Sequence, residues 1–208
     1  MSHSPVTTPS RWEQPKRAAL LIGGLVLAMY ALELIDTVTF GFLDQFGIRS
    51  WQPSSLPMIL VAPWLHFGWS HLLANTIPFA VLGFLIRVTT SFGRWLITTV
   101  ITAVVSGLTA WLLSPLYTIV AGASGVIFGY LTYLLARGIF SRDIGQILVA
   151  VVVFIAYGSV LLGVLPTTAG VSWQAHLGGA LGGVLAAWLL HKRQAPAPGA
   201  KVSAAPGR

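Results

Sequence analysis

The run Trp95-Leu-Ile-Thr-Thr-Val-Ile-Thr-Ala-Val-Val-Ser-Gly-Leu-Thr-Ala-Trp-Leu-Leu113 carries no charged side chain over 19 residues. A helix of that length is about 28 Å long, close to the ~30 Å hydrocarbon core of a bilayer. The run therefore reads as a transmembrane helix. Five more stretches of similar character flank it: Ala18–Leu34 and His71–Ile86 before it, and Ser124–Phe140, Ile147–Val164 and Trp173–Leu190 after it. The fold class expected is an all-α membrane protein, a bundle of six transmembrane helices.

Composition agrees. Only 8% of the 208 residues are charged and 55% are hydrophobic, with a mean hydropathy of +0.80; a soluble domain carries about 25% charged residues. There is no cysteine, which excludes disulfides and thiolate metal sites. The net charge of +7 does not point to nucleic acid, because the basic residues stand at the ends of apolar segments rather than on one face. Three regions follow: a cytoplasmic N-terminal segment 1–17 without the pattern of a removable signal peptide, a six-helix domain 18–190, and an Ala/Pro/Gly-rich tail 191–208, too poor in apolar surface to order itself. Between the first two spans, Ile35 to Ser70 is broken by Pro53, Pro57 and Pro63 and carries Trp51 and Trp64. It reads as a long interfacial outer loop with short helices.

Orientation follows from the basic residues. With the N-terminus in the cytoplasm, Arg11, Lys16, Arg17, Arg87, Arg94, Arg137, Arg142, Lys192, Arg193, Lys201 and Arg208 all fall inside, and only Arg49 falls outside. This matches the positive-inside rule and predicts a multi-pass protein of the cell membrane with both termini cytoplasmic. Ser124, His71 and His176 then sit at the extracytoplasmic ends of their helices.

Those residues carry the candidate chemistry. Ser124, in Gly122-Ala-Ser-Gly125, opens the fourth span, where the free N–H groups of a helix N-terminus favour an anion. Alone it reads rather as an N-cap or a small residue at a helix contact. His176, in Ala175-His-Leu-Gly-Gly179, is a histidine inside a span, which is costly and so points to function. Gly125 and Gly129 on one helix, with Gly179 and Gly183 on the other, allow close backbone approach; if these faces pack, serine and histidine meet. His71 and Asn75 share a face of the second helix and supply donors for a developing oxyanion, or else a polar clasp between helices. His66 reads as a hydrogen-bonding residue that orders the loop. Phe128, one turn after Ser124, is placed to stack on the imidazole. A metal site built from His66, His71 and His176 is disfavoured, since no carboxylate or H-E-x-x-H motif accompanies them. No acidic residue presents itself as a third triad member, so the pair reads as a serine–histidine dyad needing no cofactor.

This combination resembles the rhomboid intramembrane serine proteases. The resemblance rests on His66-Phe-Gly-Trp-Ser-His71-Leu-Leu-Ala-Asn75, Gly122-Ala-Ser124-Gly125, and Ala175-His176-Leu-Gly-Gly179 with Gly183. It implies a rhomboid-like six-helix bundle in which Ser124 is the nucleophile and His176 its base. His71, Asn75 and the Ser124 N–H would form the oxyanion hole, with Gly122 giving the backbone room. The substrates implied are transmembrane proteins, cleaved in or beside their membrane helices near the extracytoplasmic surface. The chain departs from the family twice. Leu56-Pro-Met-Ile59 stands where many members carry a Trp-Arg pair, leaving Trp51 and Trp64 to anchor the loop. Phe128 stands where many carry tyrosine. The rival classes are a non-catalytic rhomboid-like protein that binds or escorts membrane helices, and a transporter, for which no internal repeat is evident.

Overall fold

A computed structural model describes residues 13–167 and 170–191. Most of the N-terminal segment and nearly all of the tail expected to be disordered lie outside the described residues. Among the described residues the α-helices are α1 (Glu13–Val38), α2 (Trp69–Thr89), α3 (Phe92–Leu113), α4 (Ser124–Ser141), α5 (Ile144–Tyr157) and α6 (Trp173–His191). Short 3-10 segments at Leu43–Phe46, Pro53–Leu60 and Ala62–Trp64 build the α1–α2 connection, and another, Gly158–Val164, prolongs α5. Two short strands, β1 (Ile48–Arg49) and β2 (Ile119–Val120), pair antiparallel, Ile48 opposite Val120.

Each helix extends close to the run expected for it, and the differences have local causes. α1 begins earlier because Glu13 pairs with Arg17 at 2.8 Å and Gln14 donates to the Val88 carbonyl. It ends later because Asp36, buried, accepts the Leu43 N–H at 2.6 Å. The fifth run divides at Gly158, where α-helix gives way to 3-10 turns.

Among the described residues four segments are long and apolar enough to cross a membrane: α1, α2, α3, and α5 with its 3-10 extension. α4 and α6, of 18 and 19 residues, are the inner pair. They exchange lipid-facing apolar side chains for glycines, Arg137, Gln174 and His176, most of them buried. Their main chains touch: a β-carbon on Gly183 would meet the Gly129 carbonyl. α3 closes on α6 with Thr102, Val105 and Thr109 against Gly178 and Gly182. Tyr130, fully buried, bonds Thr99 at 2.7 Å, and Arg137 donates to the Thr89 hydroxyl and carbonyl, both at 3.0 Å, securing the end of α2. α5 buries only Val153 and lies at the margin.

The loop before α2 is tied to the bundle rather than laid beside it. Within the loop, Ser55 accepts the Arg49 N–H and bonds the Arg49 and Gln52 carbonyls. Trp51 donates to the Ser114 carbonyl and packs near Trp111, while Trp64 meets Phe79 edge to face. Ile59, from the Leu56–Ile59 stretch, is buried over Gly107, which has no room for a β-carbon.

Candidate active site

A cavity of about 830 Å³ opens at the end of the bundle where this loop lies. Its lining includes His71 and Asn75 of α2, Ser106 of α3, Gly122, Ser124 and His176. The two helix contacts described above bring these residues to one depth.

Ser124 is the first residue of α4, with Ala123 as N-cap. Its N–H, in the first turn, has no intrahelical acceptor. The segment leading into it is pinned twice: the Gly122 N–H donates to the Ala62 carbonyl at 2.9 Å, and the Ala123 N–H donates to His66 Nε2 at 3.4 Å. His66 is thus the ordering residue of the approach to Ser124 as well as of its own loop. Burial, reinforced by neighbouring His71, lowers its pKa to about 4, so it is neutral and able to accept.

His71 turns its Nδ1 toward the loop, where the Phe67 N–H donates to it at 3.4 Å. An accepting Nδ1 leaves the proton of the neutral ring on Nε2. Nε2 faces Gly122: a β-carbon there would lie 2.8 Å from it and 2.6 Å from Cε1. Gly122 also has φ +121°, a conformation that favours glycine. Asn75 is buried, and its Nδ2, 3.7 Å from the same β-carbon position, has no hydrogen-bond partner among the described residues. Two donors and the first N–H groups of α4 therefore converge beside Ser124. Leaving a buried amide donor unpaired costs about 1–3 kcal/mol, an outlay that an arriving oxyanion would recover.

His176 is buried. Phe128 stacks on its ring, centroids 4.1 Å apart and planes at 10°. Its Nδ1 bonds the Gly163 carbonyl at 2.8 Å; because a carbonyl only accepts, Nδ1 carries the proton and Nε2 keeps its lone pair. Among the described residues no hydrogen bond joins Ser124 to His176, and such bonds are often long before substrate binds. Gly163 was invisible to sequence reasoning, since a main-chain carbonyl has no residue signature. Ser106 was also missed: its hydroxyl donates to the Ala175 carbonyl at 2.8 Å and lies against Gly125. Its signal was a polar residue within an apolar run.

Residues 53–193 match the family model described as the Rhomboid domain. An uncharacterised protein of Mycobacterium tuberculosis is 41% identical over 188 residues, which cover 84% of this chain and 78% of that one. An uncharacterised protein of Mycobacterium leprae is also 41% identical, over 86% of this chain and 75% of its own. A chloroplastic rhomboid-like protein of Arabidopsis thaliana is 32% identical over 86% of this chain and 68% of its own.

Proposed function

The chain belongs to the rhomboid family of integral membrane proteins, and on that premise we propose that it is an intramembrane serine endopeptidase. It hydrolyses peptide bonds in or beside the transmembrane helices of substrate proteins, at the extracytoplasmic face of the cell membrane, with both termini in the cytoplasm. The observation that carries this reading is the convergence on one cavity of Ser124, a histidine with a free Nε2, and donors from His71 and Asn75.

The chemistry is acyl transfer in two steps. Ser124 Oγ attacks the scissile carbonyl carbon, and His176 Nε2 takes the hydroxyl proton. The carbonyl oxygen becomes an oxyanion that accepts from His71 Nε2–H, Asn75 Nδ2–H and the Ser124 N–H. As the C–N bond breaks, the imidazolium protonates the leaving amine and an acyl-serine remains. Water, deprotonated by the same imidazole, then releases the carboxylate product and restores Ser124. The second step requires water at Ser124, and the cavity that Ser124 lines offers its route. The substrate helix must unwind locally, since helical carbonyls are shielded by their own hydrogen bonds.

The test is cleavage of a transmembrane substrate by purified protein in detergent, alongside Ser124→Ala and His176→Ala. Loss of cleavage in both is expected. Cleavage persisting in both refutes the dyad, and a wild-type protein that neither cleaves nor reacts with a fluorophosphonate at Ser124 is a helix-binding protein instead.

A further inference from the structure

The chain contains five acidic residues, and among the described residues none hydrogen-bonds the His176 ring. Glu13 pairs with Arg17. Asp143 caps α5 by accepting the Gln146 N–H at 3.0 Å. Asp36 accepts from Leu43, and Glu33 and Asp44 share its electrostatic neighbourhood at the end of α1. No carboxylate is left to orient the imidazole. The Nδ1 edge of the ring is nevertheless occupied, at 2.8 Å, by the carbonyl of Gly163.

We propose that Gly163, through this carbonyl, is the positioning residue of the general base, standing where a carboxylate stands in a Ser-His-Asp triad. The inference rests on the serine-hydrolase reading above and extends it. Two contacts define the ring: Phe128 fixes its plane, and Gly163 fixes its rotation and tautomer. They also explain why residue 163 is glycine. A β-carbon there would lie 2.8 Å from Phe128 Cζ and 3.3 Å from His176 Nδ1, between the two groups that must stay in register. Leu162, the residue before it, is exposed.

The substitution of a carbonyl for a carboxylate has a chemical consequence. Hydrogen bonds to an ionised acceptor are roughly twice as strong as those between neutral groups. A neutral acceptor sets the tautomer but supports the imidazolium less. It also belongs to Gly158–Val164, a segment with no fully buried residue. The competence of the base therefore depends on the seating of a weakly packed element, and not on a buried charge.

The experiment is nitrogen NMR of the full chain in detergent with 15N-labelled histidine, His176→Gln supplying the assignment, combined with fluorophosphonate labelling across pH. The wild type is expected to show a protonated Nδ1 and an unprotonated Nε2 at His176. Gly163→Ala is expected to lose that tautomer preference, to move the acid limb of the pH–labelling profile, and to slow labelling by about 10–100-fold, within the roughly 10²–10⁴-fold that general acid–base catalysis supplies. Leu162→Ala, which shortens an exposed side chain one residue away, keeps wild-type labelling and tautomer. A wild-type protein that labels at Ser124 while carrying the proton on Nε2 overturns the proposal alone, as does a folded Gly163→Ala protein with an unaltered pH profile. A wild-type protein with the expected tautomer but no labelling overturns the hydrolase reading, and the role assigned to Gly163 falls with it. The wild-type spectrum decides the geometry even if the alanine variant fails to fold.

Discussion

The main chain of α6 at Gly179 rests directly on that of α4 at Gly125: a β-carbon on Gly179 would lie 2.8 Å from the Gly125 carbonyl carbon. The obstacle is backbone, which cannot rotate aside. Gly179→Ala must therefore part the two helices that carry Ser124 and His176. The expected result is a destabilisation of about 1–3 kcal/mol, the usual cost of overpacking, with slower fluorophosphonate labelling of Ser124. Gly24→Ala in α1, where the added methyl meets nothing within 4 Å, serves as the control and leaves both unchanged. Thermal unfolding in detergent with parallel labelling measures this. Wild-type behaviour of Gly179→Ala refutes the contact.

The stacking of Phe128 on His176 yields a second prediction. Aromatic pairs contribute about 0.5–1.5 kcal/mol beyond their buried area. Phe128→Leu keeps an apolar side chain and removes the stacked face. It is expected to lower kcat by about 3–10-fold, with KM little changed, because the loss falls on the orientation of the base. Steady-state cleavage of a transmembrane peptide checks this, and a change confined to KM would assign Phe128 to substrate binding.

Gly122 is the tightest point of the proposed oxyanion site. Gly122→Ala introduces a methyl 2.6 Å from His71 Cε1 and a side chain at φ +121°. Loss of a single oxyanion donor costs on the order of 10²–10³ in kcat, and the displaced His71 is such a donor. Gly122→Ala and His71→Ala are each expected to fall in that range, while the double variant loses little more than either alone. Additive losses in the double variant would show that Gly122 acts through something other than His71.

These residues also show what sequence could and could not convey. The spans were legible because hydrocarbon thickness imposes a length on apolar runs, and the dyad helices because glycines recur at the spacing of a close contact. Pairing of Ser124 with the histidine's helix followed from matching depth. The Gly163 carbonyl was not legible, since every residue has one and only the folded chain selects which is used. Nor was the attachment of the loop. The prolines and tryptophans of Ile35–Ser70 read as interfacial; that Trp51 and Trp64 also fasten the loop to the end of α3 and to α2, through a hydrogen bond and ring contacts, is a tertiary fact. Burial of His66 beneath Ala123 is likewise a tertiary fact, although its role as an ordering residue of the loop was suggested by position.

His66 carries the last prediction, a pH dependence of stability. In the folded protein its pKa lies near 4, against an ordinary value of 6.5. The unfolded chain therefore binds the extra proton first as pH falls, and stability contributed by neutral His66 is full above about pH 6.5 and declines between there and pH 4. Protonation also removes the acceptor for the Ala123 N–H, loosening the approach to Ser124. The wild type is expected to lose thermal stability in detergent between pH 7 and pH 4.5. His66→Gln, which retains an acceptor oxygen and does not titrate, loses less over the same interval although its stability at pH 7 is lower. Equal losses in the two proteins would mean that another group governs the acid limb.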